Sequence, residues 1–286
     1  MAAELVASIG HLRQRLTEAR RSNATIGLVP TMGALHAGHV RLIEEARHDC
    51  QAVAVSIFVN PLQFDREEDL QRYPRTLDAD RQVCDRFGVD VVFAPSVGEM
   101  YPVPPACTID VGRLSDHLCG KYRPGHFRSV ATVVMKLLGI VQPDRAYFGE
   151  KDAQQLAIIR RLVADLNVPV QIVGVPTVRE PDGLALSSRN AQLGPAERRS
   201  AIALFRALQS ADRQIAGGDT DPEHVKRAAA AEIPPDNPSL RLEYLEIVDP
   251  EDMQPVTMIS GPVRVAGALW VGSIRLIDNV LSMPER

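Results

Sequence analysis

The sequence has no apolar run approaching the ~18 residues that a membrane-spanning helix needs. The best candidate, Val130 to Val141, is interrupted by Lys136. The N-terminus does not read as a signal peptide either, because Glu4 precedes any apolar stretch and Arg13 and Arg15 follow it. A cytoplasmic protein without a membrane partner is the expectation. Excess positive charge is also missing: 32 Lys and Arg stand against 36 Asp and Glu, a net charge of −4. Non-specific nucleic-acid binding depends on clustered cations, so no nucleic-acid partner is expected, although a small basic pocket is compatible with this balance. Cysteine is scarce. Cys50, Cys84, Cys107 and Cys119 contain no C-x-x-C pair, which argues against a disulfide framework and predicts four reduced, mostly buried thiols. His117, Cys119 and His126 lie near one another without the spacing of a zinc site.

What is present is an ordinary globular composition, 45% hydrophobic and 24% charged, over 286 residues. That length suits one large domain or two of ~150 residues. The first two-thirds alternates strand and helix patterns. Thr25 to Val29 and Ala52 to Val59 read as buried strands, and Val89 to Ala94, Ala146 to Phe148 and Val170 to Val175 as further strands. Helices are expected from Val40 to Cys50, from Leu77 to Phe87, and through Leu156, Ile159, Val163 and Leu166. The clearest runs from Ser129 to Val141, with Val130, Val133, Val134, Leu137, Leu138 and Val141 on one face. Such alternation implies an α/β fold, a doubly wound parallel sheet of Rossmann-like type. After Pro176 the pattern changes to a long helix from Pro195 to Gly217-Gly218 and strands at Leu240 to Val248 and Val263 to Val271. The expected division is a Rossmann-like domain over 1–176 and a smaller C-terminal α+β domain over 177–286, joined by a loop at about 177–190.

Four constellations carry chemistry. PTMGALHAGH (30–39) follows the first predicted strand and opens a helix, where an open α/β sheet binds its ligand. Small residues there let a ligand approach the backbone, and the helix N-terminus favours phosphate. His36 and His39, three apart, can both face that site and donate to phosphoryl oxygens. SIFVNPLQF (56–64) places amides, among them Gln63, at a strand end. FGEKDAQQ (148–155) supplies Lys151, a compact cation suited to phosphate, and Asp152, which resembles a helix cap. LSSRN (186–190) offers two hydroxyls and Arg189 for a mobile clamp on a triphosphate. Arg123, His126 and Arg128 add donors to a carboxylate or phosphate, and Asp80 is a candidate magnesium ligand through water.

Together with YPRTLDAD (73–80), RPGHF (123–127) and VGVPTVRE (173–180), these strings resemble the pantoate–β-alanine ligase family over nearly the whole chain. The His36/His39 element resembles the H-x-G-H signature of the nucleotidyltransferase and class I synthetase superfamily. The resemblance implies condensation of pantoate with β-alanine to pantothenate. ATP is the co-substrate with Mg2+, and a pantoyl adenylate is the intermediate. It implies ATP binding by Met32, Gly33, Ala34, Leu35, His36, Ala37, Gly38 and His39, by Gly149, Glu150, Lys151 and Asp152, and by Val178, Leu186, Ser187, Ser188 and Arg189. It further implies pantoate binding by Gln63 and Gln155, β-alanine binding by Gln63, and a homodimer. His39 takes the family's proton-donor role, shared in the physical reading with His36 and Lys151 as phosphate stabilisers. Leu186 replaces a Met common in the family, a nearly volume-conserving change, and Ala79 replaces an acidic residue that some members carry next to Asp80. A nucleotidyltransferase acting on a phosphorylated small molecule would share the histidines but would need a phosphate pocket in place of Gln63 and Gln155.

Overall fold

A computed structural model describes residues 2–285. Along the chain it forms β1 (Glu4–Val6), α1 (Ile9–Arg21), β2 (Ile26–Thr31), α2 (Ala37–Asp49), β3 (Ala52–Ile57), α3 (Glu67–Arg72), α4 (Leu77–Arg86), β4 (Val91–Phe93), α5 (Val97–Met100), α6 (Leu118–Tyr122), α7 (His126–Val141), β5 (Arg145–Gly149), α8 (Ala153–Asp165) and β6 (Gln171–Val175). Then follow α9 (Pro195–Ser200), α10 (Ala203–Ala216), α11 (Pro222–Ala230), β7 (Leu240–Val248), β8 (Val263–Val271) and β9 (Ile274–Ser282). No helix among the described residues is long and apolar enough to cross a membrane. The chain forms two compact units. One comprises the described residues up to Val111 with Arg123–Glu150 and Ile158–Pro176; the other comprises Gly112–Tyr122, Lys151–Ala157 and the described residues from Thr177 onward.

The first unit holds a six-stranded sheet, entirely parallel, in the order β1-β4-β3-β2-β5-β6. It is the open doubly wound sheet that the strand–helix alternation implies. From β2 the chain moves through β3 to β4 on one side, then crosses to β5 and β6 on the other. The C-terminal ends of β2 and β5 therefore flank the point where the winding reverses, the usual ligand crevice of such sheets. The register opens that crevice. β2 pairs with β3 through to Thr31, but its pairing with β5 stops at Leu28 opposite Ala146. Pro30 lies beyond that point on the β5 side, so its missing N–H removes no ladder bond. The apolar stripe of α7 is buried as its spacing predicts. Its last carbonyls are met by arginines of α1: Arg13 donates to the Gly139 carbonyl, and Arg20 to the Val141 and Gln142 carbonyls. Cations at a helix C-terminus satisfy orphan acceptors and oppose the dipole.

The second unit is built on the antiparallel sheet β7-β8-β9. Leu204, Ala207, Leu208, Ala211 and Ile215 of α10 recur at helical spacing in one core with Val265, Leu269 and Leu276. The single long helix expected from Pro195 to Gly217-Gly218 is instead two, α9 and α10, divided at Ala201–Ile202. No Pro or Gly marks the break. Arg198 of α9 is held by two bonds to Asp182 at 2.7 and 3.0 Å, while α10 follows its apolar face onto the sheet.

All four cysteines are free; Cys50, Cys84 and Cys119 are buried and Cys107 is exposed. Burial raises the Cys50 thiol and pushes Cys84 up to about 12, so neither ionises near neutrality. Titration with a disulfide reagent at pH 8 should find one fast thiol in the native protein and four after denaturation. Rapid reaction of three or four in the native state would contradict this packing.

Candidate active site

The turn after β2 is built by groups far away in sequence. Between Thr31 and α2 the backbone takes positive φ at Gly33 (82°) and at Ala34 (52°). The second is costly for a residue with a Cβ, about 1–2 kcal/mol. Asp80 of α4, only 2% exposed, holds it there. Its carboxylate accepts the Ala34 N–H at 3.0 Å, the Leu35 N–H at 2.8 Å and the Thr76 hydroxyl at 3.2 Å. Thr31 adds a further brace, accepting from the Gly33 N–H at 3.1 Å and donating to the Ser56 carbonyl at 2.8 Å. A side chain at Gly33 would put a Cβ 2.9 Å from Asp80 Oδ2 and 3.0 Å from Ile57 Cγ2, so only glycine fits. The candidate magnesium ligand is thus a strut whose oxygens face the backbone of the turn.

His36 is the N-cap of α2, not a member of its first turn. Its Nδ1 accepts from the Gly38 N–H at 3.1 Å, while Nδ1 of His39 accepts from the His36 N–H at 3.3 Å. This is a capping box made from two imidazoles where Ser or Thr with Glu is usual. A ring nitrogen that accepts cannot carry the proton, so both rings are neutral with the proton on Nε2. The ring centroids are 4.1 Å apart. Two Nε2–H donors therefore stand together at the N-terminus of a 13-residue helix, an arrangement that suits a phosphoryl group.

The amide cluster follows β3. Asn60, 1% exposed, accepts from the Leu62 N–H at 3.3 Å and the Tyr101 hydroxyl at 3.1 Å, and donates to Gln63 Oε1 at 3.1 Å. Burial pushes the Tyr101 hydroxyl up to about 12, so it remains a donor at any working pH. Gln63 Nε2 reaches back to Met32 Sδ at 3.0 Å. Arg123 and His126, expected as donors to a ligand, brace this element: both donate to the Gln63 carbonyl at 3.0 Å, and Arg123 pairs with Asp65 at 2.6 Å. Arg128 pairs with Asp110.

The remaining residues follow β5. The chain leaves that strand at Gly149 and makes a 3₁₀ turn over Glu150–Asp152. Within the second unit, Lys151 lines a pocket with Ser187, Arg189, Asn190, Arg275 and Asp278. Its side chain is mostly buried, and its ammonium lies 3.9 Å from Asp152. Ser187 caps the 3₁₀ turn Ser188–Gln192 by accepting from the Arg189 N–H at 3.3 Å. Leu186 N–H donates to the Val178 carbonyl at 3.0 Å. Gln155 lies in the first turn of α8. The expected residues thus form two groups, each assembled inside one unit. Met32 to His39 and Gln63 belong to the first unit with Gly149 and Glu150, while Lys151, Asp152, Gln155, Val178 and Leu186 to Arg189 belong to the second. Sequence patterns missed Tyr101, Arg179, Asp278 and Asn279, which act through bonds to residues dozens of positions away.

The chain as a whole matches known proteins. The family model described as pantoate-beta-alanine ligase matches residues 4–281. The pantothenate synthetase of Moorella thermoacetica is 51% identical over 278 residues, covering 97% of this chain and 98% of that protein. The crystal structure of pantothenate synthetase from Thermus thermophilus matches with a TM-score of 0.92 at 46% identity, over 98% of this chain and all of the other. The pantoate-beta-alanine ligase of Francisella tularensis, solved with beta-gamma ATP and beta-alanine, matches with a TM-score of 0.81 at 35% identity, over 98% of each chain.

Proposed function

The chain belongs to the pantoate–β-alanine ligase family, and from that premise we propose that it joins pantoate to β-alanine at the expense of ATP, through a pantoyl adenylate. A pantoate carboxylate oxygen attacks the α-phosphorus and pyrophosphate leaves with the electrons of the broken P–O bond. The amine of β-alanine then attacks the activated carbonyl, giving pantothenate and AMP. The observation that carries this reading is the imidazole capping box. It fixes the tautomers of His36 and His39, so that two Nε2–H donors and a helix N-terminus are preorganised for charge developing on the α-phosphoryl group. Phosphate stabilisation by hydrogen bonds needs no ring to change protonation, whereas a proton on Nδ1 of His39 would abolish its bond to the His36 N–H.

In this proposal Lys151, Ser187, Ser188 and Arg189 hold the phosphates. Met32 to His39, Gly149, Glu150, Asp152, Val178 and Leu186 contact the nucleotide. Gln63 and Gln155 bind pantoate, and Gln63 also binds β-alanine. Magnesium fits only as a companion of the nucleotide. Among the described residues no three His, Cys, Asp or Glu side chains gather as a metal site. Asp80 retains roughly one of its four lone-pair directions after its three donors. Magnesium bound through phosphates with one carboxylate is usual, and there it would neutralise phosphate charge. A cytoplasmic homodimer belongs to the same proposal and rests on the family alone.

With pantoate and MgATP, the purified protein should release pyrophosphate in a burst matching its active sites, and AMP and pantothenate should accumulate only after β-alanine is added. Absence of pyrophosphate with pantoate, but release with a phosphorylated substrate, would favour a nucleotidyltransferase instead.

A further inference from the structure

On β9, two adjacent polar residues, Asp278 and Asn279, are 5% and 6% exposed. Neither belongs to the phosphate-binding groups above, yet each bonds to one of them or to its support. Asn279 Nδ2 donates to the backbone carbonyl of Lys151 at 2.9 Å, and its Oδ1 accepts from Arg264. Asp278 accepts both arms of Arg179, at 2.6 and 3.0 Å, and the Asn279 N–H at 2.8 Å. Arg179 also donates to the Gly183 carbonyl at 3.0 Å and the Asn279 carbonyl at 3.3 Å, and lies 4.4 Å from the Phe205 ring centroid.

These bonds fix a small hairpin. Arg179 bridges Ala185 in antiparallel fashion, and the turn closes through Glu180 N–H to the Leu184 carbonyl and Gly183 N–H to the Glu180 carbonyl. Gly183 has φ +97°, and a Cβ there would lie 2.1 Å from Phe205, so the turn seats directly on that ring. One residue beyond the hairpin the chain becomes Leu186 to Arg189.

A buried Arg–Asp pair rarely adds stability over an apolar pair of the same size, because desolvation consumes the attraction. Burial raises the Asp278 carboxyl, against the opposing influence of Arg179, the Asn279 N–H and the Lys151 cation. What such a bidentate pair supplies is a defined position.

We propose that Asp278 and Asn279 are positioning residues for nucleotide binding, Asn279 setting Lys151 through its backbone carbonyl and Asp278 setting the Leu186–Arg189 clamp through Arg179. The proposal rests on the phosphate role assigned to Lys151 and the clamp.

The test is a double-mutant cycle in the full-length protein, read as ATP affinity by calorimetry and as the pantoate-dependent pyrophosphate burst. Asn279→Asp keeps the acceptor for Arg264 and removes the donor to Lys151. It should weaken ATP binding and slow the burst by ~10- to 10²-fold, the scale of a misplaced group. In a Lys151→Ala background the same change should have almost no further effect. Asp278→Asn should likewise weaken ATP, with its effect lost in an Arg189→Ala background. Asn279→Ser, with a shorter side chain and no added charge, serves as the second variant if Asn279→Asp fails to fold. Equal losses with and without Lys151, or unchanged ATP affinity in a folded variant, would overturn the proposal. Wild-type protein that binds ATP but gives no burst would overturn the ligase reading, and the cycle on affinity would still decide the positioning.

Discussion

Replacement of His39 by alanine should slow adenylate formation by ~10²–10³-fold, equivalent to ~2.7–4 kcal/mol, the loss typical of one preorganised donor to a developing oxyanion. The geometry separates this from a structural effect. His39 Nδ1 also accepts from the His36 N–H, and loss of such a cap costs about 0.5–2 kcal/mol of stability. His39→Asn retains an acceptor near the Nδ1 position and lacks the Nε2–H, so it should fold as well as the wild type while remaining slow. Rapid-quench measurement of the pyrophosphate burst with pantoate and ATP tests both variants. A burst rate within a few-fold of wild type in His39→Ala would remove His39 from the phosphate site. Lys151→Ala should give a loss of the same size, with a larger share in the KM for ATP, since Lys151 is assigned to the phosphates before and after the transfer.

The second large effect is expected at Asp80. Its carboxylate holds the Ala34 and Leu35 N–H groups and thereby a non-glycine residue at φ 52°. Asp80→Ala leaves two part-buried donors without their acceptor, each costing about 1–3 kcal/mol, and frees Ala34 to leave the left-handed region. A loss of about 3 kcal/mol is therefore expected in thermal or denaturant unfolding, with early hydrogen exchange of the segment 32–39 and near-complete loss of adenylation. If Asp80 served mainly as a magnesium ligand, stability and exchange would be unchanged and high Mg2+ would restore activity. The two outcomes are readily separated.

Much of this architecture is legible in the sequence. The i, i+3, i+4 stripe of α7 states its own periodicity, and the short apolar runs of β2 and β3 are told by their length and by the turn residues that bound them. The elements that escape such reading are instructive. β1 is three residues long, too short to show a period. α1 buries only Leu12 and Leu16 among its charged residues, because its other face carries arginines onto the end of α7. α11 buries a narrow face of Pro222, Val225 and Ala229. β9 conceals itself because Arg275, Asp278 and Asn279 interrupt its apolar alternation. They are tolerated inside because Glu243, Arg179, Arg264 and the Lys151 carbonyl satisfy them.

The sequence by itself determined the chemistry on offer: paired imidazoles on a Gly-rich turn, amides at a strand end, a lysine after another strand and a Ser-Ser-Arg clamp. All of these are local strings whose spacing carries meaning over a few residues. Tertiary structure alone decided how each is held. Asp80 meets its turn from 45 and 46 positions away, Arg123 and His126 meet Gln63 from 60 and 63, and Asn279 meets Lys151 from 128. It also decided that β2 stands beside β5 and parts from it after Leu28. Hydrogen bonds between distant segments leave no period in the chain, so the groups proposed for the chemistry can be read from it while the groups that hold them in place cannot.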